Sequence, residues 1–242
     1  MEILKPVILF EDGEMIALEK PAGLMVHPDG YSDEQTLADW ILEQYPALED
    51  VGEPLEIKNN ARIMRPGIVH RLDKETSGVM VIAKTHESYA NLKQQFAEHT
   101  VRKTYRAFVY GALADERGII NRAIGKSKSD FRLWSAQRGA RGLLREARTD
   151  FRVLSRGSSA SYVEVYPKTG RTHQIRVHFK AIYHPVVCDG LYAPDSPCLL
   201  GFTRLALHAV SLTAVSLEGK ERTFSAALPQ EFIDAEARLQ AQ

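Results

Sequence analysis

An α+β fold, built on a mixed and largely antiparallel β-sheet flanked by helices, is what this 242-residue chain predicts. Three observations point there. Short runs rich in β-branched and aromatic residues outnumber segments with helical periodicity. Those runs are separated mostly by turn signals, not by the regularly spaced helices of a doubly wound sheet. The first two runs are joined by a short polar segment with a glycine, as in a hairpin.

Taken in order, residues 7–10 and 15–18 flank Glu11-Asp12-Gly13-Glu14 and form that hairpin. Residues 36–45 predict a short helix, with Leu37, Trp40 and Ile41 on one face and Ser32 or Asp33 as its cap. Residues 47–66 lack periodicity and are punctuated by Gly52, Pro54 and Pro66, so a loop is expected. A strand follows through Asp73 and on through residues 79–84. Thr85 caps a helix running to about His99, with Tyr89, Leu92 and Phe96 at helical spacing. Strands are expected near residues 103–110, 118–124, 146–154 and 161–166. A helix from about Arg171 to Ile182, strands near 204–215 and 221–227, and a helix opened by Pro229 complete the chain.

Composition is that of a globular protein, 44% hydrophobic and 26% charged. The apolar runs are too short to span a membrane. The first residues lack the basic-then-apolar layout of a signal peptide. Cys188 and Cys198 are too few for a disulfide framework, so a reduced, cytoplasmic protein is expected. No pair of His or Cys residues shows C-x2-C, H-x3-H or H-E-x-x-H spacing, and Lys168-Thr169-Gly170 lacks the rest of a phosphate-binding loop; neither a metal nor another cofactor is expected. The net charge is zero, but it is unevenly distributed. Residues 1–60 carry 3 basic against 14 acidic residues, a net of −11, whereas residues 117–156 carry 11 basic against 3 acidic, a net of +8. Such segregation is the footprint of a polyanion-binding face, and Phe131 and Trp134 among the arginines suit bases that stack on rings.

Two stretches carry the chemistry. In the first, His70-Arg71-Leu72-Asp73-Lys74-Glu75-Thr76-Ser77-Gly78, reactive groups interrupt an apolar strand pattern. The second is Gly170-Arg171-Thr172-His173-Gln174-Ile175-Arg176-Val177-His178. Together with Lys103-Thr104-Tyr105-Arg106-Ala107 and the opening motif Lys20-Pro21-Ala22-Gly23-Leu24-Met25-Val26-His27, they resemble the RluA-type pseudouridine synthases, in that family's order and over nearly the whole chain. The resemblance implies a sheet whose central cleft carries the active site, no cofactor, structured ribosomal or transfer RNA as substrate, and a flipped-out uridine. It implies one catalytic domain over residues 1–242, working as a monomer without an obligate protein partner. No S4-like RNA-binding domain is expected, since the first strand begins by Val7.

Residue by residue, the resemblance implies that Asp73 is the catalytic carboxylate, that Arg176 keeps it ionised, and that Tyr105 stacks on the uracil. Arg71 is expected to enter the RNA stack left by the flipped base; on a strand it shares the face of Asp73. Ile175 is expected to wall the uracil pocket, and His70, Lys103 and Arg171 to contact RNA. Two positions depart from the pattern: Glu19 stands where the family commonly carries Asn, and Cys188 where it carries Gly. A catalytically silent RNA-binding module of the same fold is the alternative reading.

Overall fold

The computed structural model describes residues 4–28, 34–56, 62–128, 130, 133–137 and 140–242. Ser32, Asp33, Phe131 and Arg138 lie outside the described residues. In chain order the elements are β1 (Val7–Glu11), β2 (Met15–Lys20), α1 (Leu37–Gln44), a 3-10 turn (Pro46–Leu48), β3 (Leu55–Glu56), β4 (Arg62–Ile63), β5 (Ser77–Ala83) and α2 (His86–Ala97). Next come β6 (Arg102–Tyr110), β7 (Arg117–Asn121), β8 (Ile124–Lys126), β9 (Trp134–Ser135), β10 (Arg141–Arg145), β11 (Arg148–Arg156), β12 (Ala160–Pro167) and α3 (Gln174–Ala181). The chain closes with β13 (Leu207–Val215), β14 (Glu221–Ser225) and α4 (Gln230–Gln240). The predicted α+β class holds.

The chain folds as two compact units, Met1–Arg102 with Ala209–Ala226, and Lys103–His208 with Ala227–Gln242. In the first unit the strand order is β1-β2-β5-β13, with β14 on β13. The pairs β1–β2, β2–β5 and β13–β14 are antiparallel. Met15–Leu18 and Val79–Ala83 are buried on both faces, which explains their unbroken apolar runs. Thr36 caps α1 in a reciprocal capping box with Asp39, a few residues later than the cap expected from sequence. Thr85 caps α2 as expected.

The expected strand through Asp73 does not form. Residues 69–76 are irregular, with a turn at Lys74-Glu75, and β5 begins only at Ser77. Arg71 and Asp73 therefore do not share a strand face. Gly78 explains the onset: its φ is +118°, and a Cβ there would meet the Ala209 carbonyl at 2.2 Å, so no other residue lets β5 and β13 approach this closely. The expected loop at residues 47–66 holds the 3-10 turn and the short hairpin β3–β4.

In the second unit β6, β12, β11 and β7 follow one another, each joined antiparallel to the next. The stacked pair Phe108–Tyr162, with Phe202 and Phe232 around Phe108, forms its core beneath α4. On α3, Ile175 and Phe179 belong to the same core, Phe179 tilted against Phe151. The single strand expected near 118–124 is split into β7 and β8, and β8 joins β9 and β10 in a separate three-stranded sheet.

Cys188 and Cys198 were expected to stay reduced; the structure joins them in a disulfide, with Cα atoms 4.8 Å apart. Ten intervening steps of sequence say little about closure, which here depends on the loop after α3 folding back. The same loop explains the family's Gly: Cys188 sits at φ +57°, the left-handed region where an L side chain costs roughly 1–2 kcal/mol.

Candidate active site

Asp73 lies half-buried in the irregular loop of the first unit. Its carbonyl accepts from Thr76 N at 3.1 Å, closing the Lys74-Glu75 turn. The turn is held from below by Lys20, a fully buried lysine at the end of β2. Its ammonium donates to the carbonyls of Pro21 (2.7 Å), Leu24 (2.8 Å) and Lys74 (3.0 Å). Gly23 N donates to the same Lys74 carbonyl at 2.8 Å, at a glycine φ of +86°. A buried cation is costly unless it is fully hydrogen-bonded. Three carbonyls meet that demand, and they tie the opening motif to the Asp73 turn. Sequence reading quoted Lys20 within a motif and missed this role; its signal was a lysine at the end of an otherwise apolar strand.

His70 and Arg71 precede Asp73 on the same loop. His70 Nε2 accepts from Val81 N at 3.0 Å, and its ring stacks on Phe96 with centroids 4.5 Å apart. The ring thereby fastens the loop to β5 and α2. Arg71 is exposed. It stands near enough to His27 to depress its basicity: burial first, then the guanidinium charges of Arg65 and Arg71, push the His27 imidazole down to about 3. His27 stays neutral, and its Nε2 accepts from Arg65 Nε at 3.2 Å.

In the second unit, Arg176 is buried, and its guanidinium makes a two-pronged pair with Asp189: Nε to Oδ2 and Nη2 to Oδ1, both 2.8 Å. Asp189 is fully buried and also accepts from the backbone N–H groups of Leu191 and Tyr192, each at 3.0 Å. The Tyr192 ring lies under the guanidinium, 5.1 Å from centroid to Cζ. The geometry fixes the plane of the Arg176 fork. A guanidinium has five N–H donors, and this pair uses two. Asp189 is the second residue that sequence reading missed, although it directly follows Cys188 in the chain.

The neighbours of Arg176 on α3 explain the rest of its motif. Gln174 uses its whole amide, accepting from Thr169 Oγ1 (2.6 Å) and Arg171 N (3.0 Å) and donating to Arg148 O and Thr149 Oγ1 (both 3.0 Å). His178 Nε2 faces the Arg122 carbonyl at 2.9 Å, so that nitrogen donates, and Nδ1 accepts from the Thr149 hydroxyl at 2.8 Å. Burial lowers the His178 pKa and keeps it in that neutral form. His173, at φ +54°, starts the helix later than predicted and bonds Tyr192 Oη through Nδ1 at 2.8 Å.

The remaining predicted residues of this unit are placed as follows. Arg171 Nε donates to the Glu146 carbonyl at 3.0 Å. Tyr105, on β6, is half-buried against the core. Ile175 is only 6% exposed within that core. Lys103 is half-buried, and desolvation lowers its ammonium to about 8; its Nζ lies 4.0 Å from where a Cβ on Gly170 would stand. Among the described residues no group of three or more His, Cys, Asp or Glu side chains could hold a metal ion, and no helix is long and apolar enough to cross a membrane.

The fold is one already seen in RNA-directed proteins. Human RNA pseudouridylate synthase domain containing 4 superposes with a TM-score of 0.72 at 26% identity, over 97% of this chain and 93% of that one. Human RNA pseudouridylate synthase domain containing 1 gives the same score at 23% identity, over 100% and 97%. The chain itself belongs to the RNA pseudouridylate synthase family, whose sequence model matches residues 14–181. It is 38% identical over 229 residues to an uncharacterized RNA pseudouridine synthase of Synechocystis, covering 93% of this chain and 66% of that protein. It is 34% identical over 231 residues to the ribosomal large subunit pseudouridine synthase D of Zymomonas mobilis, covering 93% and 69%. The corresponding protein of Neisseria meningitidis is 38% identical over 235 residues, covering 93% and 58%. This chain thus spans about six- to seven-tenths of the length of these relatives.

Proposed function

We propose that this protein isomerises uridine to pseudouridine in structured RNA, with Asp73 as the catalytic carboxylate and residues 1–242 working as one catalytic domain. The observation that carries the reading is the family match over residues 14–181, which runs through Asp73, Tyr105 and Arg176. The reaction breaks the N1–C1′ bond, turns the uracil, and joins C5 to C1′; the hydrogen on C5 is lost and N1 regains one, so nothing is oxidised or added. That chemistry asks for an ionised nucleophile or base, a surface for the detached ring, and a way to draw the base from its stack. In this reading Tyr105 stacks on the uracil, Arg176 provides the cation that keeps the carboxylate ionised, and Arg71 fills the gap left by the extracted base. Ribosomal large-subunit RNA is the substrate we favour, because relatives from Zymomonas and Neisseria carry it in their names.

Release of tritium from RNA labelled at uracil C5 tests the assignment directly. The wild-type protein should release it, and Asp73→Asn, nearly isosteric but unable to act as a carboxylate, should retain RNA binding and less than about a hundredth of the rate. Substantial turnover by the Asn variant would remove Asp73 from the chemistry.

A further inference from the structure

The three-stranded sheet of the second unit has the order β10-β8-β9, so β10 is an edge, and all five of its residues are exposed. Arg141 pairs with Lys126 and Arg145 with Ile124, so Gly142, Leu143 and Leu144 oppose Gly125 alone. This is a bulge with two extra residues, and Gly142 makes it possible at φ +73° with open space around its Cα. Bulges re-aim side chains. Here the result is that Leu143 is 77% exposed and Leu144, whose Cδ2 lies over Gly125, is 53% exposed, consecutive in the chain between two arginines. Adjacent leucines left in water at the tip of a bulge mark an interaction site more than a packing failure.

The root of this sheet is as firm as its tip is exposed. Ile124, Ala136 and Ala147 pack with Val177, Ala181 and Tyr192 in one small core. Trp134 N donates to Tyr192 Oη at 3.2 Å, and Arg122 Nη1 donates to the Ala181 carbonyl at 2.7 Å. The arm is therefore anchored on α3, the helix that carries Arg176, and on Tyr192, the ring beneath its guanidinium.

We propose that Leu143 and Leu144 form a wedge that enters the base stack of folded RNA beside the target uridine, with Arg141 and Arg145 on the flanking phosphates. Apolar side chains between cations are how proteins unstack a step of a duplex, and the net charge of +8 over residues 117–156 selects a polyanion as the occupant. A second copy of the chain would bring like charges together at this surface. The inference rests on the RNA-modifying reading above.

The test uses the full chain with Leu143→Ser and Leu144→Ser combined; both side chains are exposed, and an unchanged melting temperature checks the fold. Tritium release is measured on a large-subunit ribosomal RNA transcript folded in magnesium, and on the same transcript cut to short unpaired fragments. Fluorescence is measured on an RNA hairpin with 2-aminopurine in its stem. We expect kcat/KM on folded RNA to fall at least tenfold, at least fivefold more than on the fragments, and the fluorescence rise seen with wild type to be lost. Leu143→Met with Leu144→Met should restore both. Equal losses on folded and cut RNA, no loss at all, or a change only in self-association would each overturn the wedge. If wild type released no tritium from any RNA, the functional reading would fail separately, and the fluorescence rise would still decide the wedge.

Discussion

At Arg176 a residue-by-residue resemblance and the structure meet most instructively. The sequence names the arginine and, through the family, a catalytic carboxylate as its partner. It does not announce Asp189, thirteen residues on, because that pairing depends on the loop after α3 turning back, and nothing in local spacing encodes such a turn. Removing one side of a buried ion pair leaves the other charge stranded, at a cost of about 3–5 kcal/mol. Arg176→Met should therefore unfold at a temperature lower by roughly 6–20 °C, at about 2–4 °C per kcal/mol for a chain of this size, besides any loss of rate. Arg176→Met combined with Asp189→Asn, which removes the stranded charge but keeps an acceptor for Leu191 N and Tyr192 N, should regain much of the melting temperature but not the activity. Calorimetry decides it: a single Arg176 variant melting with the wild type would mean the pair contributes nothing to the fold. Gln174 and His178 were equally visible as motif residues, yet their role, a hydrogen-bonded run through Thr149 to the Arg122 carbonyl, depends on β11 lying alongside α3 and was legible only in three dimensions.

Among the elements, those governed by local periodicity were readable: the first hairpin, α1, α2, β6, β12, α4 and the capping of α2 by Thr85 all follow from spacing and caps. The Asp73 strand was misread because the flanking apolar residues continue a strand pattern, while the loop is set by the Gly78 approach to β13 and by the Lys20 ammonium, both long-range facts. The Lys20 arrangement yields a prediction at this scale. Lys20→Met keeps the volume roughly but strands the Pro21 and Leu24 carbonyls, each worth about 1–3 kcal/mol when left unsatisfied in the interior, and takes from the Lys74 carbonyl one of its two donors. The Asp73 turn should keep its Gly23 bond to the opening motif but lose the charged one. We expect kcat on folded RNA to fall at least tenfold at a temperature well below the lowered melting point, with KM changed far less. Full kcat in a merely less stable variant would confine Lys20 to the scaffold.

Over the whole molecule, two distributed properties give further tests. Each unit holds a histidine kept neutral by burial, His27 in the first and His178 in the second. An unfolded imidazole takes up a proton near its ordinary value of about 6.5, whereas burial pushes His27 down to about 3 and lowers His178 as well. The unfolded chain thus binds more protons, and stability should fall as pH drops from about 6.5 towards 5, before most carboxylates titrate. A melting temperature that stays flat between pH 7 and 5 would show that both rings protonate within the fold; His27→Gln should soften the decline if the reading is right. The charge distribution gives the other test. A net zero conceals an acidic stretch over residues 1–60 and a net of +8 over residues 117–156, and a segregation of this size was fully legible in the sequence, since it needs only counting. The three-stranded sheet that displays Arg141 and Arg145 was not legible, because its strands are two to five residues long and one is bulged. If that sheet holds phosphates, log affinity for RNA should fall linearly with log salt, by roughly 0.7–0.9 in slope for each phosphate neutralised. Arg141→Ala with Arg145→Ala should therefore weaken binding and also reduce the slope by about 1.4–1.8, whereas loss of a base contact weakens binding at every salt concentration alike. An unchanged slope in the double variant would mean that β10 faces solvent while RNA binds elsewhere on the chain.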